Sequence, residues 1–362
     1  MKNTNANMRI VQIIDSLEAG GAERMAVNYA NALLSHIEFS GLVATRAEGL
    51  LKNDISDDVA YLFLRKQKSF DLATIKKLST YLKENSIDVI HAHSTSIYLA
   101  VMAKFLVPKI KIVWHDHYGN SEFLKQRSSK ILRFALKFCS GAIAVNTKLE
   151  LWIKQYLHFS NTIYLPNFAS LELAESTTVL GGIDNFRIIC VANLREQKNH
   201  FLLLNVAVML KKTHPKWTFH FVGKDFNDDY AQQVKDLIKK RDLEHSVFLY
   251  GSCVDTAALL NKCDIAVLSS KSEGLPVAIL EYGLLSKPVL ATSVGEISSI
   301  IKDGENGYLA PSGNDSEFYN KLVLLIEDKN RFRFGNELNK TISKIYSEEF
   351  IIETYLKWLN NL

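Results

Sequence analysis

Two acidic residues, Glu273 and Glu281, stand eight positions apart in Ser-Ser-Lys-Ser-Glu273-Gly274-Leu275-Pro276-Val-Ala-Ile-Leu-Glu281. At a rise of about 1.5 Å per residue, that spacing spans about 12 Å of helix. An acid/base pair acting on one glycosidic bond sits only about 5–9.5 Å apart. The two carboxylates therefore suit two contacts along an extended ligand, such as a sugar at one end and a ribose at the other. The backbone amides of Gly274 and Leu275 then face the phosphates between them. Glu281 alone reads as a solvated helix residue. In the apolar run Val277-Ala278-Ile279-Leu280 it needs partners, because a buried carboxylate is costly without them.

Three further clusters follow apolar runs. Asn193-Leu194-Arg195-Glu196-Gln197-Lys198-Asn199 precedes a helix and places Arg195 and Lys198 where the helix dipole already favours an anion. A diphosphate fits there, since each phosphate takes a cationic donor. Gly20-Gly21 opens the first helix and brings backbone N–H groups near an anion or a sugar, although a tight turn would need the same residues. His115-Asp116-His117 ends another strand, and His91-Ala92-His93 ends its neighbour. A polar contact in a cleft and a structural role suit His115 and His117 equally, and no third ligand cluster supports a metal. His91 and His93 read as a satisfied strand-end pair.

These clusters need strands to aim them. Short apolar runs alternate with amphipathic stretches, as in a covered parallel sheet with right-handed crossovers. Strands are expected at 9–14, 39–44, 59–64, 87–90, 110–114, 142–145 and 162–165, with helices at 22–34, 70–84, 95–105, 121–138 and 149–156. A polar, glycine-bearing segment at 166–185 interrupts the rhythm and reads as a linker. Strands at 186–192, 218–222, 247–249, 265–268, 289–292 and 307–310 follow. Helices are expected at 200–212, 230–241, 255–262, 276–284, 315–327, 330–345 and 348–360. The fold class is α/β: two successive Rossmann-like, doubly wound halves, whose ligands lie beyond the carboxyl ends of the strands.

In order along the chain, these motifs resemble glycosyltransferase family 4, retaining enzymes of GT-B fold. The frame S-x-x-E-G-L-P-x-x-x-L-E at 270–281 resembles the family signature. Gly20-Gly21 resembles its N-terminal glycine loop, and His115 its N-domain histidine. His117 fits that position too; His115 is preferred because it directly ends the strand. Arg195 and Lys198 resemble the diphosphate motif, with Asn193 standing where the arginine is usual. Tyr250-Gly251 with Asp255, and Asp303-Gly304-Glu305-Asn306-Gly307, resemble two further turns, the second a hairpin. Gly295-Glu296 stands where the family has two glycines.

The resemblance implies two domains facing a central cleft. Residues 1–170 plus a returning C-terminal helix, 347–362, form the acceptor domain, and 171–346 the donor domain. It implies transfer of a hexose or N-acetylhexosamine from a nucleotide-diphosphate sugar, most often a UDP-sugar. The acceptor is a saccharide, expected to be lipid-linked, in bacterial surface polysaccharide synthesis. No metal or other cofactor is expected. Arg195 and Lys198 neutralise the leaving diphosphate, Glu273 contacts the sugar, and Glu281 holds the ribose. Asn193, Gly274 and Leu275 line the donor site, while Gly20, Gly21 and His115 close it. The alternatives are a sugar-nucleotide epimerase or another activity on this fold, and a non-catalytic nucleotide-sugar-binding subunit.

Composition sets the remaining bounds. In 362 residues, 47% hydrophobic and 23% charged describe a globular protein rather than a disordered or fibrous one. The net charge of +4 is too small to argue for nucleic acid, and none is expected as a partner. It is unevenly spread: residues 1–170 hold 21 Lys and Arg against 14 Asp and Glu, a surplus of seven. Much of that surplus, Lys125, Arg127, Lys130, Arg133 and Lys137, alternates with Phe123, Leu124, Ile131, Leu132, Phe134 and Leu136 on one expected helix. Such a helix suits an anionic membrane surface, although a solvated face would look the same. Four cysteines without metal spacing, no apolar run long enough to span a bilayer and no secretory leader point to the cytoplasm or the inner membrane face.

Overall fold

Ile10, Val11 and Ile13 are buried on both faces of β1 (Arg9–Ser16), which marks it as the middle of a covered sheet. In the computed structural model of the chain, residues 7–68, 70–119, 124, 126–170 and 176–362 are described. The first compact unit is Met1–Phe168 with Glu348–Leu362, and the second is Ala169–Ser347.

In unit 1, β1 is followed by α1 (Gly21–Leu33), β2 (Phe39–Ala47), β3 (Ala60–Phe63) and α2 (Leu72–Glu84). Then come β4 (Val89–His93), α3 (Ile97–Lys104), β5 (Lys111–Asp116), α4 (Lys130–Leu136), β6 (Gly141–Ala144), α5 (Thr147–Tyr156) and β7 (Thr162–Tyr164). The seven strands run parallel in the order β3-β2-β1-β4-β5-β6-β7. The order reverses between β1 and β4, so the turns after these strands border the crevice where such sheets bind ligands.

Unit 2 repeats the scheme. It contains β8 (Arg187–Val191), α6 (His200–Thr213), β9 (Thr218–Val222), α7 (Asp229–Lys240), β10 (Val247–Gly251), α8 (Thr256–Asn261) and β11 (Ile265–Leu268). It continues with α9 (Val277–Leu284), β12 (Val289–Thr292), α10 (Ile297–Ile300), β13 (Tyr308–Ala310), α11 (Asp315–Glu327) and α12 (Phe332–Ile345). Its parallel order is β10-β9-β8-β11-β12-β13, with the reversal between β8 and β11. The last helix, α13 (Glu348–Leu359), belongs to unit 1 and buries Ile351, Ile352, Tyr355 and Leu356 there.

Side-chain caps fix several helix starts: Asp71 accepts from Thr74 N at 3.1 Å, Asn146 from Leu149 N at 2.8 Å, and Asp228 from Ala231 N at 2.9 Å. The buried Asp255 carboxylate accepts from Thr177 N and Thr178 N, both at 2.8 Å, and so ties the end of the linker segment to unit 2.

Four local expectations change. The helix expected at 121–138 is described only as α4. Arg127 turns inward to Asp116, and Ser129 stands ahead of the helix with a non-helical backbone (φ −120°, ψ −16°). Phe123 and Lys125 lie outside the described residues. Pro276 is extended (φ −73°, ψ 121°), so α9 starts one residue later than expected. The segment 303–307 is a turn rather than a hairpin, because β13 pairs parallel to β12. No helix was expected at α10. Among the described residues no helix is long and apolar enough to cross a membrane.

Candidate active site

The turns after β8, β11 and β12 converge at the reversal of the unit 2 sheet. The β8–α6 turn is a short 3-10 segment, Glu196–Lys198, closed by Asn199 in the left-handed region (φ 53°). Ser269 Oγ donates to Lys198 O at 2.9 Å, Lys271 N to Gln197 O at 2.8 Å, and Gln197 Nε2 to Ser272 O at 2.7 Å. These bonds stitch the β8 turn to the β11 turn. Thr292 Oγ1, at the end of β12, adds a bond to Ser270 O at 2.7 Å.

That scaffold brings Lys198 and Glu273 together. Lys198 Nζ lies 2.5 Å from Glu273 Oε1, and Ser270 Oγ donates to the same oxygen at 2.6 Å. The Glu273 side chain is only 6% exposed, so the carboxylate is largely desolvated and needs both donors. The Lys198 side chain is 23% exposed, and its charge therefore still reaches solvent.

Behind them, Gly295 has φ +56°, and a Cβ there would stand 2.1 Å from Glu273 O. Only glycine permits that approach, and Glu296 N then donates to Gly274 O at 3.0 Å. Gly274 and Leu275 are buried in the same turn. Glu281 lies one helical turn into α9 and is half-buried.

Arg195 does not join the Lys198–Glu273 pair. It is exposed and stacks on Phe226, with its guanidinium carbon 4.4 Å from the ring centroid, and Lys224 Nζ lies 5.3 Å from the same ring. Asn193 Oδ1 accepts from Lys224 N at 2.8 Å, which locks the two loops together. Lys224 and Phe226 were not identified in the sequence. They sit in an irregular loop after β9, and only the fold brings that loop beside Arg195.

In unit 1, Gly20 is the extended N-cap of α1, and Gly21, with open space around its Cα, begins the helix. The Glu23 carboxylate folds over Gly20, so an acidic group of the chain itself lies at this helix start. Four imidazoles gather at the ends of β4 and β5. His91 Nε2 is 3.1 Å from His115 Nδ1, His93 Nδ1 is 2.9 Å from His117 Nε2, and His93 Nε2 is 2.9 Å from Gln12 Oε1. His91, His93 and His115 have no exposed surface and pack under Tyr29 of α1 and Tyr355 of α13. Burial holds all three well below the usual histidine range, and it pushes His117 down to about 3. The set is therefore neutral at physiological pH.

The structure separates the two candidate histidines. His115 lies inside the sheet, whereas His117 lines a cavity of about 350 Å³ with Ser94, Thr95, Tyr98, Trp114 and Tyr118. Asp116 and Arg127 close the cavity through a two-pronged pair at 2.6 and 2.9 Å. Arg127 also packs over Tyr118 at 4.3 Å and Trp152 at 4.7 Å, so it is not part of a surface cationic stripe. His91, His93 and His115 offer nitrogens within 4.8 Å of one another, a spacing a metal ion can span. Four of their six ring nitrogens are already engaged with one another, His117 or Gln12.

Residues 182–345 match the family described as glycosyl transferases group 1, and residues 19–173 match glycosyltransferase family 4. An uncharacterized glycosyltransferase of Methanocaldococcus jannaschii is 33% identical over 325 residues, covering 87% of this chain and 88% of its own. The UDP-Gal:alpha-D-GlcNAc-diphosphoundecaprenol alpha-1,3-galactosyltransferase of Escherichia coli is 25% identical over 356 residues, covering 91% of this chain and 90% of its own. The fold matches that of Anabaena HepE, crystallised with UDP and glucose, with a TM-score of 0.83 over 98% of this chain and 100% of that one, at 21% identity.

Proposed function

The chain belongs to the group 1 and family 4 glycosyltransferases, and on that premise we propose that it transfers a hexose or N-acetylhexosamine from a UDP-sugar with retention of anomeric configuration. The acceptor in this reading is a lipid-linked saccharide, and the product serves a bacterial surface polysaccharide. The observation that carries the reading is the Lys198–Glu273 pair at the sheet reversal of unit 2.

The chemistry follows from charge. Breaking the bond between sugar and diphosphate leaves negative charge on the phosphate oxygens. A fixed, partly desolvated ammonium stabilises that charge as it develops, when it contributes most. Lys198 is held for this by Glu273, and Arg195 adds a second cation from its Phe226 shelf. Glu273 accepts from sugar hydroxyls, the Gly274 and Leu275 turn lies against the diphosphate, and Glu281 accepts from the ribose hydroxyls. In this reading the cations do the work of a divalent metal. Transfer from a panel of nucleotide sugars, read by product NMR, tests the proposal. The expected result is an axial, retained linkage formed equally well in EDTA. An inverted product, or activity abolished by chelator and restored by Mn²⁺, would overturn it.

The acceptor end of the reading places the protein on the inner face of the cytoplasmic membrane. Its support is a surface patch on unit 1: Phe105 and Phe134 are 64% and 58% exposed and meet across Phe138, with ring centroids at 5.2 and 5.4 Å. Ile131 is exposed beside them on α4, as are Lys130, Arg133 and Lys137, while Leu132 and Leu136 turn into the core. Apolar side chains ringed by cations suit an anionic bilayer. Sedimentation with anionic vesicles is expected for the native chain and is lost in Phe105→Ser/Phe134→Ser. Equal recovery with neutral vesicles, or no recovery with either, would count against the membrane.

A further inference from the structure

Gln12 has no exposed surface and sits in the central strand of unit 1 between Val11 and Ile13. An aliphatic side chain would fill that place without desolvating an amide, and the Gln12 Nε2 has no partner among the described residues. Leaving such a group unbonded costs about 1–3 kcal/mol. The other end of the amide explains its presence: Oε1 lies 2.9 Å from His93 Nε2.

An amide oxygen only accepts, so His93 Nε2 carries a proton and donates it. A neutral His93 then has a bare lone pair on Nδ1. His117 Nε2, 2.9 Å away, supplies the proton that this contact requires. His117 is neutral as well, so its own Nδ1 is bare. That imidazole lines the unit 1 cavity, and its Nδ1 makes no bond to a described residue.

We infer that Gln12, acting through His93, is a positioning residue that fixes His117 as the Nε2–H tautomer, so that His117 offers the cavity a hydrogen-bond acceptor for a saccharide hydroxyl. The identity of the ligand rests on the proposed function; the tautomer chain does not. Such an acceptor favours a sugar bearing the hydroxyl and rejects its deoxy analogue, whose binding leaves the lone pair unsatisfied. The Ser94, Thr95 and Tyr98 hydroxyls and the Asp116–Arg127 pair provide the rest of a polar, aromatic-walled cavity suited to sugar.

Long-range proton–nitrogen NMR on histidine-labelled protein, without ligand, reads the tautomers directly; His117→Asn assigns the signal. Nε2–H is expected for both His93 and His117. Gln12→Leu removes the acceptor, mixes the His117 tautomers and lowers kcat/KM for transfer about 3- to 10-fold, roughly one neutral hydrogen bond. UDP affinity stays unchanged. A native fold and unchanged UDP affinity in Gln12→Leu separate positioning from general damage. His117→Asn, with an oxygen near the Nδ1 position, keeps more transfer than His117→Phe. A native His117 protonated on Nδ1, or a tautomer unmoved by Gln12→Leu, would overturn the inference while leaving the transferase reading intact. The expected tautomers without transfer from any nucleotide sugar would do the reverse.

Discussion

The two units present the same architecture at their sheet reversals but opposite electrostatics. In unit 2 the reversal carries a formal ion pair, Lys198–Glu273, whose loops are stitched by side-chain bonds from Ser269, Gln197 and Thr292. In unit 1 it carries neutral imidazoles. There Gln12 Nε2, Tyr29 Oη, His91 Nδ1, His115 Nε2 and Tyr355 Oη lack partners among the described residues. Charge held in a rigid, well-bonded frame suits an anion whose charge grows during reaction. Neutral donors and acceptors suit hydroxyls, which gain little from a full charge. Under the proposed function, parallel sheets of one type would serve a diphosphate in one unit and a sugar in the other, through the side chains at their strand ends.

The largest effect is expected from Lys198→Ala, with turnover falling about 10²- to 10³-fold, the loss typical of removing one transition-state donor. Because the substitution also strands the desolvated Glu273, Lys198→Ala/Glu273→Gln is the matching control. It should fold normally and remain as slow. Turnover within threefold of native for both variants would show that unit 2 does not depend on its charge.

Next in size is the response to acid. The unfolded chain protonates its histidines near pH 6.5, whereas burial lowers His91, His93, His115 and His117 in unit 1, and His200 and His220 in unit 2 to about 4. Between those values the unfolded state binds more protons. The stabilisation is therefore complete above about pH 6.5 and is lost as pH falls, by about 1.4 kcal/mol per pH unit for each histidine involved. The groups around the unit 1 set, Tyr29, Tyr355 and the closed Asp116–Arg127 pair, supply no compensating charge. Hydrogen exchange at pH 7.5 and 5.5 should show β4 and β5 losing more protection than β8 and β11. Equal losses would erase the distinction between the units.

The smallest effect belongs to Arg195, which is exposed and held by stacking. Phe226→Leu should weaken UDP binding about twofold to fivefold, the value of a surface cation–π contact. A change beyond 20-fold would move Arg195 from the edge of the site to its centre.

The chain was legible where one interaction period dominates. Strand after strand, and nearly every helix, followed from apolar runs and amphipathic spacing, because burial on two faces leaves little freedom. The Glu273 turn and Lys198 were legible because glycine, proline and charge at a strand end have few other uses. What escaped was long-range. The contact that joins Lys198 to Glu273 spans 75 positions. Arg195 meets Phe226 only through the β9 turn, and Gln12 looks like an ordinary interruption of an apolar strand until β4 delivers His93 beside it. His115 and His117 are both near a strand end, so spacing could not tell the sheet interior from the cavity wall. Arg127 read as part of a cationic stripe, yet its fork is spent on Asp116, which no local pattern announces.

Calorimetric binding of UDP to the native chain, Lys198→Ala and His117→Phe tests the division of labour most directly. The expected result is a Kd at least tenfold weaker for Lys198→Ala and unchanged for His117→Phe. Loss of UDP affinity in His117→Phe with none in Lys198→Ala would contradict the assignment of the charged site to the diphosphate and the neutral one to the sugar.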